Sequence, residues 1–160
     1  MPYFEKVGNE EENHFKESIL EYKKRFLCLR TYKSIVSVSE KEFNNILPEL
    51  TEICFEINAT KSDAKLVSGS KTLAHILPDL VPPIDRQYTL KFMYGNKNYS
   101  IGNDERGKKV FNGIMQYMYN LYNQNHKLTE LANKSINSEF NTSLPKIFDN
   151  IVINRVRELK

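Results

Sequence analysis

Two side chains in the stretch Val67 to Gly95, VSGSKTLAHILPDLVPPIDRQYTLKFMYG, are of types that do covalent chemistry together. Lys71 carries a primary amine, which becomes a nucleophile toward a carbonyl carbon once it is partly desolvated and loses its proton. Asp85 carries a carboxylate, which can take up that proton or stabilise nearby cationic charge. Between them Pro78, Pro82 and Pro83 restrict their own backbone and that of the residues before them, so covalent geometry directs the path from amine to carboxylate. His75 follows Lys71 by one helical turn and shares its face. Each residue also has a plain structural reading: Lys71 as a solvated first-turn residue, Asp85 as a helix cap, and His75 as an exposed or hydrogen-bonded histidine.

Other constellations fail on spacing. Gly69-Ser70-Lys71-Thr72 falls short of a phosphate-binding loop, because that motif needs a glycine about five positions before its second one and a lysine directly after it. Position 64 is Ala, and Ser70 separates Gly69 from Lys71. His14, His75 and His126 lack second ligands at helical spacing, so no metal site is expected, and no cofactor is expected either. There is no Gly-x-Ser-x-Gly elbow for a nucleophilic serine. Cys28 and Cys54 sit among apolar neighbours and read as buried thiols, not as a disulfide.

The run Val67-Ser68-Gly69-Ser70-Lys71-Thr72, followed by Pro83-Ile84-Asp85, resembles the core of the helix-hairpin-helix DNA glycosylases. In that family a hairpin ends in Gly-x-Lys-Thr and the catalytic aspartate follows a Pro-Val pair, where this chain has Pro83-Ile84. The resemblance implies that Gly69, with Ser70 and Thr72, offers backbone amides to a DNA phosphate, that Lys71 attacks the sugar, and that Asp85 assists. Arg86 and Tyr88 would then contact phosphate or stack on a base. If the chain is an enzyme, the implied activity is that of a DNA base-excision glycosylase or lyase. The wider pattern from Ser70 to Asp85 also resembles bacterial and archaeal proteins that carry no assigned activity.

The elements that must position these residues read as helices. Phe15, Ile19, Tyr22, Phe26 and Leu29 recur at three- and four-residue steps, which predicts a helix from Glu10 to about Arg30. Ser39 and Glu42 form a capping box for the next helix, which Pro48 is expected to break or kink. Ser68-Gly69-Ser70 is expected to turn the chain and cap a helix running from Lys71 to Leu77. Asp85 is placed to cap a helix through Tyr88, Phe92 and Met93 that Gly95 closes. Residues 96–102 read as a loop. Asp104 is expected to cap a long helix whose stripe, Val110, Phe111, Ile114, Met115, Met118, Leu121 and Tyr122, reads as core. A short helix near Leu128 to Ile136 and a last one after Ser143, with Pro145 in its first turn, complete the chain.

These elements make an all-α bundle of about seven short and medium helices, read as one domain over residues 1–160. Hydrophobic residues are 40% and charged residues 27% of the chain, ordinary globular usage and not that of a disordered segment. A formal charge of +3 permits phosphate contact without marking a strongly basic nucleic-acid binder. No apolar run is long enough to span a bilayer and no signal-peptide core is present, so the expected location is the cytoplasm, away from membranes. The expected partner is DNA through its phosphate backbone. The alternative is a non-catalytic interaction or regulatory domain with a protein partner or a second copy of itself.

Overall fold

The computed structural model describes residues 13–57, 64–99, 102–136 and 140–159. Its elements are α1 (13–21), α2 (Lys23–Leu29), α3 (Glu40–Glu56), α4 (Lys65–Ile76), a π-helical turn (Arg86–Leu90) leading into α5 (Lys91–Tyr94), α6 (Asp104–Gln124), α7 (His126–Ser135) and α8 (Leu144–Glu158). The described residues contain no β-strand. The start expected at Glu10 lies outside them. α1 and α2 meet at Tyr22, and the predicted stripe faces inward, with Tyr22, Phe26 and Leu29 buried and Phe15 and Ile19 packed against the core.

Cys54 is buried as expected, but Cys28 is exposed. Positions 27 and 28 fall between the stripe residues Phe26 and Leu29, and about 100° of helical rotation per residue turns them to solvent. Leu27 is exposed with it.

The Ser39–Glu42 capping box is present: Ser39 Oγ accepts from the Glu42 N–H at 3.3 Å, and Glu42 Oε2 accepts from the Ser39 N–H at 2.8 Å. Pro48 does not break α3, which runs on to Glu56. Pro48 lies on the exposed side, where the acceptor left over from the missing N–H stays in water, while Phe43, Ile46, Leu50, Ile53 and Cys54 bury the other side.

The turn expected at Ser68-Gly69-Ser70 is not formed. α4 begins at Lys65 and carries all three residues inside the helix. Ser68 and Ser70 donate their hydroxyl protons to carbonyls one turn back, Ala64 at 3.3 Å and Val67 at 3.2 Å, so neither acts as a cap. Gly69 is there for packing, because a Cβ on it would stand 1.8 Å from the carbonyl oxygen of Cys54. Its missing side chain lets α4 lie directly on α3. Gly107 plays the same part for α6, where a Cβ would meet the Phe55 ring at 2.7 Å.

Asp85 caps its helix as predicted, Oδ1 accepting from the N–H groups of Gln87 at 2.7 Å and Tyr88 at 3.1 Å. The first turn is wide, since the Leu90 N–H reaches the Asp85 carbonyl at 3.0 Å, and Gly95 closes α5 at φ +68°. The cap of α6 is Asn103, not Asp104: its Oδ1 accepts from the Arg106 N–H at 2.8 Å, which frees Asp104 to pair with Lys65 at 2.7 Å. Along α6 the predicted stripe is buried except for Leu121, which is partly covered. α8 is capped by Ser143, has Pro145 in its first turn, and buries Ile147, Phe148 and Val152 while Ile151 stays exposed.

Candidate functional site

α4, the proline path, the π turn and α8 together enclose a cleft of about 470 Å³. α4 supplies Lys71, Ala74 and His75, three positions that share one face. Two bonds hold the proline path in place. Ser70 Oγ accepts from the Ile84 N–H at 3.2 Å, tying the residue before Asp85 to α4, and Thr89 Oγ1 accepts from the Asp85 N–H at 3.2 Å. Ser143 Oγ donates to the Pro78 carbonyl at 2.8 Å and anchors the start of α8 on the turn that ends α4. From behind, the Arg30 guanidinium donates to the Ile76 carbonyl at 3.1 and 3.2 Å.

Lys71 and Asp85 therefore face one cleft. Lys71 Nζ donates to Asp85 Oδ2 at 3.4 Å, with the two side chains 48% and 31% exposed. A pair this open contributes little to stability, about 0–1 kcal/mol, so the contact is weak enough to exchange for a ligand. Tyr88 lines the same cleft, and the Arg157 guanidinium lies over its ring at 5.7 Å.

The other residues singled out from sequence lie elsewhere. Gly69 and Ser70 are buried inside α4, and Ser70 is 0% exposed, so their amides form no hairpin turn open to a phosphate. Thr72 is half-buried and off the cleft wall. Arg86 turns toward residues 97–99, bonding the Lys97 carbonyl at 3.4 Å and the Asn98 side-chain oxygen.

α8 brings a second ion pair that the motif did not include. Lys146 Nζ bonds Asp149 Oδ2 at 2.6 Å, and both line the cleft. Asp149 is 4% exposed. Burial pushes its carboxyl above the usual carboxylate range; the Lys146 ammonium opposes this, Asp85 adds to it and Lys71 subtracts. The signal for this pair was in the sequence: Ser143, Lys146 and Asp149 stand at three-residue steps, and Asp149 follows the apolar pair Ile147-Phe148 on the same helix.

The cleft thus holds two amines and two carboxylates, a histidine, a tyrosine and a serine, against apolar walls from Ala74, Pro78, Val81, Pro83 and Ile153. Its size is that of a small-molecule or nucleoside pocket, which typically runs from about 300 to 1,000 Å³. Among the described residues no group of His, Cys, Asp and Glu is arranged to hold a metal ion, and no helix is long and apolar enough to cross a membrane. No protein-family model matches the chain, and neither does any curated protein or solved structure.

Proposed function

We propose that the chain binds DNA and receives an unstacked or abasic nucleotide in this cleft, where Lys71 acts as an amine nucleophile on the sugar and Asp85 manages its proton. The observation that carries the reading is the 3.4 Å contact between the Lys71 amine and the Asp85 carboxylate in a cleft large enough for a nucleoside. Tyr88, beneath Arg157, offers an aromatic face of the kind on which bases stack.

The basic residues that follow Asp85 in sequence support the same reading. Between Arg86 and Tyr99 the chain carries Arg86, Lys91 and Lys97 and no acidic residue, and Arg106 and Lys109 follow on α6. Lys91, Lys97 and Lys109 pair with no carboxylate among the described residues, which suits them to phosphates, whereas Arg86 and Arg106 already donate to the Lys97 and Tyr99 carbonyls.

The test is borohydride reduction in the presence of DNA containing an abasic site. A covalent adduct that Lys71→Ala abolishes supports the reading; no adduct, or an adduct indifferent to Lys71→Ala, removes it. The second reading, a non-catalytic interaction domain, draws on the fact that both lysines of the cleft are already neutralised by neighbouring carboxylates. It predicts neither an adduct nor salt-dependent DNA binding.

A further inference from the structure

Two carboxylates face one cleft in unlike surroundings. Asp85 accepts two backbone N–H bonds and the Lys71 ammonium at the cleft mouth, so its oxygens are already occupied as acceptors. Asp149 is 4% exposed at the cleft wall, and among the described residues its salt partner is Lys146 on its own helix. The other charged or titratable groups of the cleft are Lys71 and His75 from α4, Asp85 and Tyr88 from the π turn, and Arg157 beyond the Tyr88 ring. An ionised carboxylate is costly at such a site, and the Lys146 ammonium offsets only part of that cost. A pair of carboxyl groups held in contrasting environments is the arrangement that divides acid and base work between them.

Resting on the reading of Lys71 as nucleophile, we infer that Asp149 is the proton donor of this cleft, working opposite Asp85 when Lys71 condenses with the aldehyde of an abasic sugar. Asp85 takes one proton from the Lys71 ammonium. The freed amine attacks the aldehyde carbon, a C–N bond forms, and the carbonyl electron pair moves to oxygen, which takes the proton of Asp149. The nitrogen then returns a proton to Asp149, and the hydroxyl leaves as water with the proton held by Asp85. Ammonium and aldehyde become iminium and water, and both carboxyl groups end as they began. Burial, which raises the Asp149 carboxyl, keeps its proton available at a pH where an exposed aspartate has lost it.

The experiment combines two measurements on the full chain. Carbon NMR of labelled aspartate side chains, assigned with Asp149→Asn, reads the titration of Asp149 directly. Borohydride trapping of abasic-site DNA is followed against pH for the wild type, Asp149→Asn, Asp85→Asn and Lys71→Ala. The expected result is an Asp149 carboxyl titrating above the ordinary range, and an Asp149→Asn variant that binds DNA as before but traps about 100-fold more slowly, without the alkaline limb of the wild-type profile. Titration in or below the ordinary range overturns the assignment, whatever the trapping shows. A wild type that traps through Lys71 beside an Asp149→Asn variant with an unchanged pH profile overturns the role of Asp149 alone. A wild type that forms no adduct overturns both that role and the reading beneath it.

Discussion

Lys146 and Asp149 form the most enclosed charged pair of the cleft, and their energetics follow from that enclosure. The Lys146 side chain is 37% exposed and the Asp149 carboxyl can hold its own proton, so removing the ammonium costs less than the roughly 3–5 kcal/mol of a fully buried ion pair. Lys146→Met is therefore expected to destabilise, and Lys146→Met with Asp149→Leu to recover most of the loss, read by urea unfolding. Asp149 also sets a pH dependence. Its carboxyl is raised in the folded protein, so the folded state holds its proton more tightly than the unfolded chain. That contribution is present below the unfolded value and is lost as pH rises through the folded one. Relative to Asp149→Asn, the wild type should lose stability across that interval; a difference that instead grows with pH contradicts the burial argument. Lys71 and Asp85 behave otherwise, because both are open to water, and Lys71→Ala should leave the unfolding midpoint nearly unchanged.

At the scale of elements, α4 decides the site, since one helix carries Lys71, His75 and Ser70 and lies on α3 through Gly69. Gly69→Ala tests that contact. Alanine is the better helix former by about 1 kcal/mol, yet its Cβ collides with the backbone of Cys54, and overpacking of this kind costs about 1–3 kcal/mol or more. A net loss of stability is expected in thermal unfolding, and a gain would mean that α4 does not approach α3 this closely. Ser39→Ala should cost about 1 kcal/mol through the lost cap. The Glu42 carboxyl is held below its usual range by the Ser39 backbone and side chain, so this box contributes above the unfolded carboxylate value and weakens as pH falls. The capping predictions at Ser39 and at Asp85 hold because a cap is a local matter of one side chain and the next turn, although at α6 the cap falls one residue earlier than expected, on Asn103. The start of α4 was misread for the opposite reason. Ser-Gly-Ser has the local chemistry of a turn, but the helix continues because the space against Cys54 admits only glycine, and that space is set by a residue far away in sequence. Pro48 was misread likewise, its local penalty outweighed by the apolar face that α3 buries.

Over the whole molecule, an all-α architecture was legible from the helical spacing of apolar residues, and the described residues bear it out in one connected core. Half of the cleft was legible too. Lys71, Asp85 and Tyr88 lie close in sequence and on one proline-directed path, whereas Lys146 and Asp149 reach the cleft only because Ser143 bonds the Pro78 carbonyl and lays α8 across it. The DNA-binding account makes a prediction at this scale. If Lys97 and Lys109 neutralise phosphates, replacing each by alanine should lower the slope of log affinity against log salt by about 1, for every DNA sequence alike. The central claim, that the Lys71 amine acts on a sugar in this cleft, is tested most directly by locating the bond. The reduced adduct formed with abasic-site DNA is digested and the modified residue identified by mass spectrometry. The sugar remnant is expected on Lys71; a remnant on Lys146, on scattered surface lysines or on no lysine rules out this role for the Lys71 amine.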